Sequence, residues 1–370
     1  MEEVSAREAV RPREDESRGR LNIHRAALIV VRLGYALAAV AIFALALKVL
    51  QEGATALEPV LRWAAVENGI DALGFGWLAS YLVLSGSPVA AVSLTLFSSQ
   101  TITDLQAFAM INGSRLGASL IVLAVGFLYY LRGHRHPDGL YIGVIALLVT
   151  ATIYLPAMGI GGLALASGWL DGVRFDAAPG LHSAMGAVYG TATDAASHHL
   201  SRPALFLLGG SLLWGSFHLF DRALPHANNG DRTLARALNR VHQRYAMFAL
   251  GLLVTALTLS VSVSLAVLIP LSLKGYIRRQ HVIPYIMGAN ISTFVDTLFA
   301  SLLLGTPRAF TIVLAAVLSV SLVSLLVIGF AYDPYRRLVM ALARRITHSR
   351  RTLATFLLAS FVVPVVLLAA

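Results

Sequence analysis

Cysteine is absent from the chain. That excludes disulfides, thiolate metal centres and cysteine nucleophiles. Charge is scarce too. Asp, Glu, Lys and Arg make up 13% of 370 residues, against roughly a quarter in an ordinary soluble chain. So few charges cannot coat a soluble surface of this size. Apolar residues fill their place, at 57% with a mean hydropathy of +0.73. The composition is that of an all-α polytopic membrane protein. Acid is scarcer than base, with 19 Asp and Glu against 29 Lys and Arg, a net charge of +10. In a soluble protein that excess would suggest nucleic acid as a partner. In a membrane protein it reads as orientation, and no nucleic-acid partner is expected. The sequence contains no Gly-rich phosphate loop, nucleophile elbow or metalloprotease helix. Neither an enzyme nor an ATP-driven pump is expected, and no metal or organic cofactor.

The charges that exist are clustered. Residues 1–25 carry six Arg and six acidic residues, and read as a disordered cytosolic tail. Apolar stretches follow at 26–50, 74–97, 103–131, 140–169, 203–220, 247–273, 283–305, 309–330 and 352–368. Two of them are interrupted, by Ser85-Gly86-Ser87-Pro88 and by Ser260-Val261-Ser262. Read as hairpins that enter and leave on one face, these two leave 1–25, 132–138, 221–244, 274–281 and 331–351 on the cytosolic side. Those segments hold 22 of the 29 Lys and Arg, and the outer segments 51–72, 170–202 and 306–308 hold four. That asymmetry is the positive-inside pattern and places the N-terminus in the cytosol of a plasma or inner membrane. The segment 51–71 is expected along the outer interface, and 170–202 as a small-residue loop.

Sliding the chain by 175 residues aligns 76–120 with 251–295, with 12 identities in 45 positions. Composition alone gives roughly four or five. The pairs Ser85/Ser260, Ser87/Ser262 and Gly113/Gly288 share this offset. Corresponding loops fall on opposite sides of the membrane. The expected architecture is therefore two inverted-topology repeats, each with a re-entrant helical hairpin, plus extra spans. Repeat one covers 26–138 and repeat two 203–330, joined by a span and outer loop at 139–202. A basic cytosolic segment and a C-terminal span, 331–370, complete the chain. Inverted repeats characterise secondary transporters, whose sites form where broken helices meet near the midplane.

Each repeat has two polar islands: the Leu-Ser-x-Ser break, and a second near Asn112–Ser119 or Gly288–Thr293. Hydroxyls, amides and freed carbonyls can replace the oxygen shell of a cation. Freed N–H groups at helix starts suit an anion. Close helix packing through Ser and Gly is the competing explanation. The substrate-binding candidates are Ser85, Ser87, Arg115, Ser260, Ser262 and Asn290. The ion-binding candidates are Ser87, Ser262, Asn290, Ser292, Thr293 and Asp296. Arg115 and Asp296 lie inside apolar stretches, where ionisable groups face the bundle interior. Arg115 is expected to supply fixed positive charge, replacing a bound sodium ion or holding an anion. Asp296 would balance that charge or carry a proton. The competing expectation is a structural Arg115–Asp296 ion pair. The outer-loop residues Asp176, His182, Asp194, His198 and His199 match no zinc spacing and read as a solvated loop.

At these islands the chain resembles the type II sodium–phosphate cotransporter (Na/Pi symporter) family. That family pairs a Gln-Ser-Ser-Ser hairpin with a Gly-Ala-Asn-Ile-Gly-Thr-Thr type segment in each of two inverted repeats. Here Met287-Gly288-Ala289-Asn290-Ile291-Ser292-Thr293 and Leu298-Phe299-Ala300-Ser301-Leu302 are close to the pattern, as is the layout of 43–53. The resemblance covers roughly 38–131 and 203–330. Leu84 and Leu259 replace the family Gln, Gly86 and Val261 the middle Ser, and Arg115 the first Asn. Losing both Gln amides removes contacts to sodium and phosphate. The resemblance implies a symporter of phosphate or a similar small anion working by alternating access in membrane lipid. The resemblance implies Na⁺ as the coupling ion, with H⁺ the alternative. A sodium-independent carrier, or a transport-inactive scaffold that keeps the fold, is the alternative.

The lack of native Cys makes sidedness directly measurable. A membrane-impermeant maleimide should label Gly172→Cys on intact cells, and Ser349→Cys only after permeabilisation. Labelling of Ser349→Cys from outside would contradict the topology.

Overall fold

The computed structural model describes residues 30–131, 138–173, 179–223, 243–261, 264–265 and 279–370. The tail 1–25, the turn 132–137, Asp176, most of the basic 221–244 segment, Ser262 and residues 266–278 lie outside the described residues. Every regular element among the described residues is a helix. Helix α1 (30–53) runs through a short 3-10 turn, Ala54–Leu57, into α2 (Glu58–Trp63). Next come α3 (Gly69–Val83), α4 (Gly86–Ser98), α5 (Asp104–Leu131) and α6 (Asp138–Ala166). Helices α7 (Pro179–His199), α8 (Arg202–Ala223), α9 (Arg244–Thr258), α10 (Arg279–Ser292) and α11 (Val295–Leu303) follow. The chain ends in α12 (Pro307–Phe330), α13 (Tyr332–His348) and α14 (Arg350–Leu368).

Seven helices among the described residues are long and apolar enough to cross a bilayer, with α10 and α11 counted as one. The chain is thus an all-helical, membrane-embedded multi-pass protein. Helix α14 leaves Leu358, Val362 and Val366 exposed, and α8 leaves Leu207 and Trp214 exposed. In lipid these are favourable surfaces rather than liabilities. Helices α3, α4 and α9 have 15, 13 and 15 residues. About 20 residues are needed to span, so none of the three crosses alone.

Two sequence expectations change. Residues 51–63 continue the first helix through the 3-10 turn rather than lying apart from it. The segment expected as a loop at 170–202 contains the 21-residue α7, since its Ala-rich composition favours helix. The basic segment 331–351 is largely helix, because its arginines fall on one side of an amphipathic turn pattern. Tyr332, Val339 and Ala343 are buried on the other side.

Both broken segments start and stop at the same relative positions. Helices α3 and α9 begin at 69 and 244, and end at Leu84 and Leu259, each in the left-handed region with φ of 54° and 51°. A non-glycine residue there costs roughly 1–2 kcal/mol, so the sharp turn is imposed twice by the surrounding packing. Asn68 sets the start of α3. Its Oδ1 accepts from the Ile70 and Asp71 N–H groups at 2.7 and 3.2 Å, and Asp71 Oδ2 accepts back from Asn68 N–H at 3.1 Å.

The packing inside the two units also repeats. A Cβ on Gly76 would lie 2.2 Å from the Met110 carbonyl oxygen, and one on Gly113 2.2 Å from that of Leu73. A Cβ on Gly251 would lie 2.0 Å from the Tyr285 carbonyl oxygen, and one on Gly288 2.1 Å from that of Phe248. Both contacts of the first unit map onto the second at the offset of 175. Backbone therefore lies on backbone where α3 crosses α5 and where α9 crosses α10. Small residues permit that approach in a membrane, where dispersion replaces the hydrophobic drive between helices.

Polar contacts sort the helix ends into two groups. At one end Arg308 of α12 bonds Asp104 of α5 at 2.7 Å and also pairs with Asp171. Thr306 Oγ1 donates to Ser98 Oγ at 3.2 Å, and Gln106 Nε2 to the Val66 carbonyl, just before α3, at 3.4 Å. At the other end the Tyr332 hydroxyl donates to the Gln280 carbonyl at 3.1 Å, and Arg336 Nη1 to Gln280 Oε1 at 2.8 Å. Burial pushes the Tyr332 hydroxyl up to about 12. Arg244, at the start of α9, lies over the Tyr332 ring at 5.6 Å. Tyr141 at the start of α6 donates to the Met340 carbonyl at 3.2 Å.

Gly76→Ala and Gly288→Ala should each lower the melting temperature in detergent, because overpacking costs about 1–3 kcal/mol. Gly329→Ala should be neutral or stabilising, since an added Cβ there meets nothing within 4 Å. Equal tolerance at all three positions would contradict the backbone crossings.

Candidate functional site

The site grows from the middle of α5. Arg115 stands on this helix two residues after Gly113, the glycine that packs against α3. Its side chain and that of Asp296 are each only 3% exposed. Arg115 Nη2 donates to Asp296 Oδ1 at 2.8 Å and to Thr297 Oγ1. Arg115 Nη1 donates to Ser87 Oγ at 3.1 Å. Thr297 Oγ1 donates in turn to Asp296 Oδ1 at 2.8 Å. The guanidinium also lies over the Phe294 ring, 5.3 Å from its centroid, a contact worth about 2 kcal/mol when desolvated.

Each partner is placed by a helix break. Ser87 lies in the first turn of α4, just after the left-handed Leu84 and the extended Ser85. Asp296 lies in the first turn of α11, where the positive end of the helix dipole favours a carboxylate. Helices α10 and α11 are separated by a turn at Thr293–Phe294. In an unbroken helix the Asn290 carbonyl would accept the Phe294 N–H. Here that N–H donates to Ile291 at 3.3 Å, and the freed Asn290 carbonyl accepts from the Tyr154 hydroxyl at 2.8 Å. The Asn290 amide donates to Thr150 Oγ1 at 3.2 Å. The Tyr154 ring is fully buried and stacks on Phe294, with centroids 6.0 Å apart. One continuous cluster thus runs from Ser87 through Arg115, Asp296 and Phe294 to Tyr154 and Asn290.

Of the candidate residues, the structure brings together Ser87, Arg115, Asn290 and Asp296. Ser85 and Ser260 are half-buried at the two breaks. Ser262 lies outside the described residues. Ser292 turns its hydroxyl back to the Gly288 carbonyl at 3.4 Å, and Thr293 is buried in the turn. The ion pair between Arg115 and Asp296, the competing expectation for these two residues, is present. Thr297, Thr150, Phe294 and Tyr154 belong to the site and escaped the sequence reading. Thr297 carried a signal, a second polar residue beside Asp296 in an apolar run. Thr150 and Tyr154 lie in α6, outside both repeats, where no internal symmetry pointed to them.

Two buried polar atoms of the cluster keep unused bonding capacity, Arg115 Nε and Asp296 Oδ2, and Asn112 Oδ1, one turn earlier on α5, is also buried without a partner. Asn112 and Arg115 share one face of α5 at i, i+3 spacing. A polar cavity of about 340 Å³ near Thr101, Gln106 and Thr306 opens at the Arg308 end. A larger apolar one of about 760 Å³ lies among Leu57, Phe75, Val89, Phe206 and Trp214. Neither is lined by Arg115 or Asp296. Among the described residues no group of three or more His, Asp or Glu is placed to hold a metal ion. The side chain of His182 lies outside the described residues. No family model, curated protein or solved structure matches the chain.

Removing one partner of a buried pair strands the other charge. Arg115→Met should cost about 3–5 kcal/mol of stability, and the double variant Arg115→Met/Asp296→Leu should recover most of it. Unfolding of both singles and the double in detergent measures the coupling. Simple additivity of the two losses would show that the charges do not depend on each other.

Proposed function

We propose that the chain is a secondary active transporter of a small inorganic anion, phosphate by its resemblance to type II sodium–phosphate cotransporters, working by alternating access. One observation carries this reading. A buried cluster of opposite charges lies between the two repeated units, with Ser87 and Arg115 from the first and Asn290, Asp296 and Thr297 from the second. A carrier needs its site at such a junction, so that rocking one unit on the other changes the side to which the site opens.

Further observations support it. The repeated α3–α5 and α9–α10 crossings are rigid backbone contacts, suited to moving as bodies. The start of α3 lies at the Arg308 end and that of α9 at the Tyr332 end. That supports an inverted relation between the repeats and re-entrant hairpins at α3–α4 and after α9. The clustering of Arg336, Arg337, Arg344, Arg345, Arg350 and Arg351 after α12 supports a cytosolic Tyr332 end and a cytosolic N-terminus. The site is closed to both ends, as an occluded intermediate of such a cycle would be. Arg115 supplies the positive charge that draws an anion. Asp296 holds that charge neutral until the anion arrives, so substrate binding and release of the pair are exchangeable.

Purified protein in liposomes should take up radiolabelled phosphate above protein-free vesicles. Arg115→Lys, which keeps the charge and loses the planar fork, should lower that uptake about tenfold, equivalent to roughly 1.4 kcal/mol. Uptake no greater than in protein-free vesicles, whatever cation gradient is applied, would reject the carrier reading.

A further inference from the structure

We infer that the Arg115 guanidinium is a tethered cation, occupying the place in which a carrier of this build would hold a coupling sodium ion. The inference rests on the carrier reading of the site. It fixes how that site is powered: anion uptake runs without sodium.

The oxygens around the guanidinium are of a kind an alkali cation would also take. Its Nη atoms meet one carboxylate oxygen and two hydroxyl oxygens, Asp296 Oδ1, Thr297 Oγ1 and Ser87 Oγ. Hard oxygens of this kind suit hard cations. They come from two helix starts in different repeats, so the shell is assembled by the tertiary fold. The internal symmetry points to the same place. Position 115 corresponds to 290 at the offset of 175, and the second unit has Asn there. Where one repeat keeps a neutral amide, the other has grown a side chain that ends in a positive charge.

Charge then makes the two cations exclusive. Arg115 and Asp296 sum to zero in a region stripped of water. A sodium ion beside them would leave a net positive charge in a low-dielectric interior, at a cost of several kcal/mol. A sodium ion in place of the guanidinium would restore neutrality with the same oxygens. The other ionisable group facing the pair is Tyr154 of α6. Helix α4 brings no titratable residue, and on α12 only Arg308, at its far end, is ionisable. Asp296 Oδ2 is a buried acceptor with no partner. It is the further oxygen a smaller cation could draw on once the guanidinium is gone.

The test reads cation binding separately from transport. Melting temperatures of the purified full chain are measured in sodium chloride and choline chloride at equal ionic strength. Wild type should melt alike in both. Arg115→Asn, which gives the first repeat the residue of the second, should gain a saturable sodium-dependent rise. Arg115→Gln, with the same amide on a longer stem, is read in parallel. The rise should vanish in Arg115→Asn/Asp296→Asn. Saturable binding of radioactive sodium to wild type, or a sodium-dependent rise in its melting temperature, would overturn the inference. So would folded Arg115→Asn and Arg115→Gln variants indifferent to sodium. Phosphate uptake by wild type that stops in choline would overturn the tethered cation and leave the carrier standing. Absence of any uptake would remove the carrier and leave the melting result to be read by itself.

Discussion

The structure depends on one ion pair kept out of water. A chain with charges on 13% of its residues places two of them where each alone would be costly. An unpaired Arg or Asp at the centre of a membrane helix costs roughly 2.5–3.5 kcal/mol or more. Pairing repays that cost only when distance and orientation are right. Arg115, Asp296, Thr297 and Ser87 meet these terms together, and the geometry ties three helices to one register. Helix α5 cannot slide or rotate past α4 and α11 without stranding a charge.

Such a pair needs a stiff frame, and the glycine crossings supply one. Where α3 meets α5 and α9 meets α10, backbone touches backbone, and no side chain is present to rearrange. Helix α6 stands against both units, packing on α5 and reading the broken end of α10 through Tyr154 and Thr150. The contacts at the two ends differ in kind. Arg308 with Asp104 and Asp171 forms an ionic clasp, whereas Tyr332, Arg336 and Gln280 form a hydrogen-bonded one. Motion of one unit against the other would have to release one of these clasps, and it would also have to give Arg115 a substitute for Asp296.

Much of this was legible in the sequence, for physical reasons. Hydropathy located the spans because lipid demands long apolar runs. The offset of 175 located the breaks because the same crossing requires glycine at 76, 113, 251 and 288. Arg115 and Asp296 stood out as charges that topology did not explain. Other features were hidden. Helix α7 looked like a loop because its small residues carry no strong apolar period. The arginines of α13 mark orientation in the sequence, and in the structure they also form one face of a helix. Ser85 and Ser260 were drawn into the site by their symmetry, yet the turn leaves them at the breaks while Ser87, two residues on, reaches the guanidinium. Tyr154 and Thr150 serve a carbonyl freed by the α10–α11 break, and no local pattern in α6 announces a partner more than 130 residues away.

The central claim is that Arg115 and Asp296 meet as a pair of opposite charges in the apolar interior. Infrared difference spectra between wild type and Asp296→Asn at neutral pH test it directly. The account predicts that the substitution removes a carboxylate stretching band and no protonated-carboxyl band. Loss of a protonated-carboxyl band would mean that Asp296 is neutral and that the pair does not exist as charges.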